Sequence, residues 1–278
     1  MAERHVLVLL DTSPASEAAI DSAVSIARHH DLDLRALFVE DQDLIASSGH
    51  AFSREISALS GRPRSFGRQS LLDRLALQRR QIETRLDALS RRETLRWQLE
   101  VITGPVLDSI EQAALQAEWI VLGKVGWSGA RGARLGSTAR KLVESGRYRL
   151  LLWETTAVPP DADVVVLVGP GGDCRPGIEV GRHLAEATGR RCHLLLLPGA
   201  EATGSGQEPD NPATMVDRLT APPLDALRRL IRQRPAAAVV IDETAAEALG
   251  LAMTDLIALV DAPVIRVPSQ AGEQDPRA

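Results

Sequence analysis

Trp119–Lys141 reads WIVLGKVGWSGARGARLGSTARK, and the rest of the chain is organised around it. Its first four residues, Trp119-Ile120-Val121-Leu122, form a short apolar run that predicts a buried strand. Gly123-Lys124-Val125-Gly126 follows, then nine residues, then Gly136-Ser137 at the mouth of a predicted helix. Glycine lets the backbone turn with positive φ and lets a ligand approach where a Cβ would block it. A strand, a glycine loop and a helix N-terminus direct free N–H groups and partial positive charge to one point, which suits a phosphate. Ser137 and Thr138 add hydroxyls, and Lys124, Arg131 and Arg134 add charge. From chemistry alone the stretch serves either as a structural turn or as an anion site. It is not a P-loop, because Gly136 is followed by Ser-Thr-Ala where Lys-Ser/Thr would be needed, and it lacks the dinucleotide fingerprint G-x-G-x-x-G.

Towards the N-terminus, His5–Leu10 is a continuous apolar run, the pattern of a strand buried on both faces. Asp11-Thr12-Ser13-Pro14 then opens a helix with apolar positions at Ala19, Ile20, Ala23, Ile26 and Ala27. With a strand at Leu34–Val39, this makes a right-handed parallel crossover. Asp11 stands at the carboxyl end of the first strand, where it either caps the helix beside Ser13 or faces a ligand. Residues 41–68 form an excursion in which Leu44, Ile45, Phe52, Ile56 and Leu59 recur near helical spacing. It reads as a helical insert packed on its own domain, with a lid or partner-docking helix as the alternative. Leu71–Ser90 is an arginine-rich amphipathic helix, Leu95–Ile102 a strand, and Gly104-Pro105 opens a helix to Ala117. A helix over 137–145 and a strand at Tyr148–Trp153 close the half.

Beyond a linker at Thr155–Pro160 the chain repeats itself. VLVLL at Val6–Leu10 returns as VVVLV at Val164–Val168. Ile20, Ala27 and Leu34 return without a gap as Ile178, Ala185 and Cys192. TGPVLDSI at Thr103–Ile110 returns as TAPPLDAL at Thr220–Leu227, and the last helix and strand return as Leu251–Val267. Two tandem open parallel-sheet α/β domains are expected, at 1–156 and 161–269, with a flexible tail at 270–278. The copy differs where the ligand chemistry lies. Gly169 aligns with Asp11, and Ala237–Ile241 runs into Asp242-Glu243 with no glycine loop. Gly250-Leu251-Ala252 stands where Gly136-Ser137-Thr138 stood. Two acidic side chains near the expected phosphate would repel it, so one anion site per chain is expected, in the first half. Gly169-Pro170-Gly171-Gly172-Asp173 reads as a flexible turn, with a second anion loop as the alternative. Gly199–Asn211 reads as a mobile loop.

The pattern G-x2-G-x9-G-S at Gly123, Gly126, Gly136 and Ser137, behind a strand reading IVLG, resembles the ATP-binding members of the universal stress protein family. The repeat is similar to that of its two-domain members, which are Rossmann-like. The resemblance implies an adenine nucleotide, ATP with or without Mg2+, held by Asp11, Thr12, Val39, Leu122, Gly123, Gly126, Gly136, Ser137 and Thr138. Asp11 lies on the adenine or ribose side, the main chain of Val39 meets the base, and the glycine loop takes the phosphates. It also implies a nucleotide-dependent regulator read by an unidentified protein partner. Like domains of the family pair through their last strands, so Tyr148–Trp153 is expected to face Val264–Val267 as an internal pseudo-dimer, with a homodimer as the alternative.

Composition narrows the remaining classes. A chain of 278 residues with 44% hydrophobic content suffices for two cores, and a net charge of −5 argues against a general nucleic-acid binder. There is no apolar run of membrane-spanning length and no leader pattern, so a cytoplasmic protein with Cys174 and Cys192 reduced is expected. No metal-binding, nucleophile-elbow or paired-carboxylate motif stands out. Adjacent His29 and His30 point about 100° apart on a helix and poorly suit one metal. At most slow ATP hydrolysis is expected, with a nucleotide-using transferase or a nucleotide-free interaction module as rivals.

Overall fold

The structure, a computed structural model, describes residues 4–10, 14–48, 54–56, 61, 63–65, 67–104, 106–114, 116–125, 135–154, 158–201, 214–219, 223–233 and 235–268. The chain divides into two compact units, Met1–Trp127 and Ser128–Ala278.

In the first unit, β1 (His5–Leu10), α1 (Pro14–His29) and β2 (Asp33–Asp41) make the expected crossover. The core stripe of α1 is Ala19, Ile20, Ala23, Val24 and Ala27, spaced to lie on one helix face. The excursion then departs from the helical reading. Among its described residues α2 (Gln42–Ser48) is helical, while β3 (Arg54–Ile56) and β4 (Pro63–Ser65) pair antiparallel, so Ile56 belongs to a strand pair. Spacing alone cannot separate a helix from a hairpin in so short an apolar run. Phe52 and Leu59 lie outside the described residues. The long helix α3 (Arg68–Glu93) buries Leu71, Leu75, Ile82 and Leu86. β5 (Trp97–Gly104), α4 (Val106–Ala114) and β6 (Ala117–Gly123) complete the unit. Ala117 thus begins a strand and does not end the preceding helix. The strands lie in the order β6-β1-β2-β5, all parallel.

The second unit begins with α5 (Ser137–Glu144) and β7 (Leu150–Trp153). β8 (Asp163–Val168), α6 (Arg175–Ala187), β9 (Cys192–Leu196), β10 (Thr214–Arg218), α7 (Pro223–Gln233) and β11 (Ala236–Ile241) follow. Short helices α8 (Glu243–Ala248) and α9 (Met253–Leu259) lead to β12 (Val264–Arg266). The strand order is β10-β9-β8-β11-β12-β7, parallel except that β12 and β7 run antiparallel, with Val264 opposite Leu152 and Arg266 opposite Leu150. The repeat breaks at residues 155–160, whereas the compact units divide at Trp127–Ser128. The difference comes from β7, the last strand of the first repeat, which hydrogen-bonds to the last strand of the second.

The repeat persists in detail. α1 ends on Asp31 in the left-handed region at φ 51, and Leu32 N–H donates to the Ala27 carbonyl. α6 ends on Gly189 at φ 63, and Arg190 N–H donates to Ala185 in the same way. Val6 lies opposite Leu34 as Val164 lies opposite Cys192. Even an irregularity recurs: the β1–β6 register slips across Glu118, between Ala117 and Trp119, and the β8–β11 register across Ala237, between Ala236 and Ala238.

Candidate functional site

Open parallel sheets bind ligands at the carboxyl ends of the strands, where the strand order reverses. In the first unit that point lies between β1 and β6. Leu10 ends β1, and Asp11 and Thr12 come next in sequence but lie outside the described residues. Val39, half-buried near the carboxyl end of β2, pairs with Ile102. Leu122 is buried and Gly123 closes β6. Val39, Leu122 and Gly123 therefore share the carboxyl edge of one parallel sheet. Lys124, expected to add charge to the loop, is only 2% exposed. Gly126, Arg131 and Arg134 lie outside the described residues.

The remaining site residues open α5 in the second unit. Gly136 is the N-cap residue at φ −70, ψ 160, and its carbonyl accepts from Arg140 N–H at 2.9 Å. Gly136 has no side chain with which to cap the helix. The leading N–H groups of α5 have no intrahelical acceptor and carry the positive end of the helix dipole. Ser137 is exposed and Thr138 half-buried beside them.

The second repeat treats the equivalent point differently. Its reversal lies between β8 and β11, and here α8 caps itself: Asp242 accepts from Ala245 N–H at 2.9 Å and from the Thr244 hydroxyl at 2.8 Å. Thr244 packs so closely on the loop after β8 that a Cβ on Gly169 would overlap its backbone and hydroxyl. Glu243 pairs with buried Arg266 at 2.6 Å. The two acids thus have structural roles beyond the expected repulsion: Asp242 caps a helix and Glu243 pairs with Arg266. The Gly169–Asp173 turn is not loose either, being packed on Thr244 and held by Asp173, which accepts from the Arg175 guanidinium and N–H. Those bonds keep the Asp173 carboxyl below the usual carboxylate range. Thr244 and Arg266 were missed from sequence. The Asp at the head of ETAAEA is a capping signal, and an arginine inside APVIRVP is a charge in a buried strand.

Burial pushes the Cys192 thiol up to about 11 and also raises Cys174, so both stay protonated and weakly nucleophilic at neutral pH. Both are free cysteines. Among the described residues, no group of three or more His, Cys, Asp or Glu side chains could hold a metal ion. No helix among them is long and apolar enough to cross a membrane.

A sequence model of the universal stress protein family matches residues 3–151, more than half of the chain. The chain belongs to the universal stress protein family. Solved structures similar to it over nearly the whole length include a universal stress protein from Pseudomonas aeruginosa UCBPP-PA14. That structure is 15% identical with a TM-score of 0.58, and the match covers 96% of this chain and 93% of that one. A universal stress protein from Archaeoglobus fulgidus DSM 4304 is 13% identical with a TM-score of 0.56, covering 94% and 97%. A functionally unknown protein from Pseudomonas aeruginosa PAO1 is 14% identical with a TM-score of 0.57, covering 96% and 93%. At these identities the likeness is one of fold: this universal stress protein shares its α/β architecture with them from end to end. No curated protein matches the chain.

Proposed function

We propose that this universal stress protein binds one ATP through its first repeat and acts as a nucleotide-dependent regulator. Asp11 and Thr12 serve the adenine or ribose side, the Val39 main chain serves the base, and Leu122, Gly123 and Gly126 lead to the phosphates. Gly136, Ser137 and Thr138 complete the phosphate cradle, with Mg2+ as an accompanying ion. The observation that carries the reading is the G-x2-G-x9-G-S motif, which leaves Leu122 and Gly123 at the carboxyl end of β6 and ends on Gly136 at the start of α5. The second repeat lacks the motif: β11 runs straight into α8, capped by Asp242, with Thr244 packed on Gly169. Its counterpart of α5 is α9, whose N-cap residue Ala252 brings no hydroxyl such as those of Ser137 and Thr138. Binding would change a surface read by a protein partner.

Calorimetric titration of the nucleotide-stripped protein with Mg-ATP tests this, beside Gly136→Ala and Gly250→Ala. Gly136 has dihedrals that alanine adopts freely, so its substitution keeps the fold and places a methyl where the phosphate approaches. Gly250 sits at φ 65, so its alanine variant loses about 1 kcal/mol of stability but leaves binding intact. The expected result is one ATP per chain, weakened tenfold or more by Gly136→Ala only. A wild-type protein that takes up no nucleotide would reduce the loop to a structural turn.

A further inference from the structure

Arg266 is an arginine with 1% exposure in the last strand, between Ile265 and Val267, each 2% exposed. One arm of its guanidinium donates to the Tyr148 carbonyl at 2.9 Å. The other donates to Glu243 at 2.6 Å. Among the described residues its Nε and the second Glu243 oxygen find no hydrogen-bond partner. Such a pair is a weak source of stability, since desolvating two charges offsets most of their attraction. What it provides is fixed geometry, because a planar guanidinium with two acceptors locks them relative to each other.

The acceptors belong to the two segments that matter most. Tyr148 lies just beyond the C-terminus of α5, which closes with Ser145 N–H on the Lys141 carbonyl, Gly146 N–H on Val143, and Gly146 at φ 71. The buried face of α5 is Ala139, Leu142 and Val143. Glu243 is the first residue of α8, the helix whose Thr244 packs on Gly169 and Gly172 after β8. At eight residues α5 is about 12 Å long, so a tilt of about 5° moves its N-terminus by about 1 Å.

We propose that Arg266 and Glu243 are positioning residues for helix α5, so that the second repeat, with α8 packed on the loop after β8, sets the first repeat's affinity for ATP. This rests on the ATP-binding reading above. It gives the second repeat a role that does not require a ligand of its own: α8 is the fixed anchor, Arg266 the link, and α5 the element aimed.

Two readouts on the full chain separate this inference from the reading beneath it. The first is hydrogen exchange at the amides of α5 and α6 in nucleotide-free wild type, Arg266→Met, Arg266→Lys and Glu243→Gln. The second is the dissociation constant for Mg-ATP, taken well below each variant's melting temperature. Arg266→Met should speed exchange in α5, leave α6 unchanged, and raise the dissociation constant tenfold or more. Arg266→Lys, which keeps the charge but lacks the planar fork, should recover only part of that, and Glu243→Gln should lose a few-fold. Unchanged α5 exchange in folded Arg266→Met overturns the inference, and so does a lower melting temperature with an unchanged dissociation constant. If the wild type binds no ATP while Arg266→Met still loosens α5 alone, the nucleotide reading falls and the clamp stands. Should Arg266→Met not hold its fold, Glu243→Ala, which removes the one-third-exposed partner, gives the same two readings.

Discussion

At the scale of single residues, Thr244 meets two glycines in two different ways. A Cβ on Gly169 would collide with the Thr244 backbone as well as its hydroxyl, while one on Gly172 would collide chiefly with the Thr244 methyl. The first clash cannot be relieved by any side-chain change at 244; the second can. Gly169→Ala should therefore cost about 1–3 kcal/mol, the range of an overpacked core, and Thr244→Ser should not restore it. Gly172→Ala should be destabilising alone, but within about 0.5 kcal/mol of neutral on a Thr244→Ser background. Urea denaturation of the three single and two double variants checks this, and rescue of Gly169→Ala by serine would show that the loop, not α8, gives way. The close fit was not legible in sequence. Gly169-Pro170-Gly171-Gly172 names residues that can turn, but only the packed structure shows that two of them are small because Thr244 is beside them. The role of Glu243 was hidden for a similar reason, since its partner Arg266 is brought to it by strand order.

At the scale of elements, α6 carries two glycines one turn apart with opposite consequences. A Cβ on Gly181 would overlap a methyl of Val166 in β8, whereas a Cβ on Gly177 would meet only ordinary van der Waals neighbours, Val240 at 3.9 Å and Val166 at 4.0 Å. Alanine gains up to about 1 kcal/mol over glycine inside a helix. Gly177→Ala should accordingly raise the melting temperature, while Gly181→Ala should lower it, and Val166→Ala should recover part of the Gly181→Ala loss. Thermal scans of the three variants decide the matter; a stabilised Gly181→Ala would mean that α6 can move off β8. Elements were the most legible level of the sequence. Apolar runs marked β1, β6, β8 and β11 because both faces of those strands are buried, and a constant offset carried α1 and β2 onto α6 and β9. The reading weakened where no packing face disciplines the spacing, as in the β3–β4 strand pair, and at helix ends such as Ala114, where turn residues only bound the answer.

At the scale of the whole molecule, the two repeats are joined by more than the linker. β7 pairs antiparallel with β12, and Leu150, Leu151 and Leu152 are at most 5% exposed. The likeness of the two last strands was readable from the repeat, but the division of the compact units at Trp127–Ser128 was not, because it depends on which partner β7 takes. That partner choice has a testable consequence. A fragment of residues 1–156 keeps β7 and loses β12, so it presents an unpaired strand edge rich in leucine, the kind of edge that recruits another chain. β7 already pairs antiparallel, which makes a second β7 an acceptable substitute for β12. In sedimentation the fragment should therefore run as a dimer or larger, and titration with residues 158–278 should convert it to a one-to-one complex with the mass of the intact chain. Substituting Leu151 by lysine should break the self-association and also weaken the complex, since Leu151 lies opposite Ile265. A fragment that stays folded and monomeric without its partner would show instead that the β7–β12 pairing adds little, and that each repeat closes its own core.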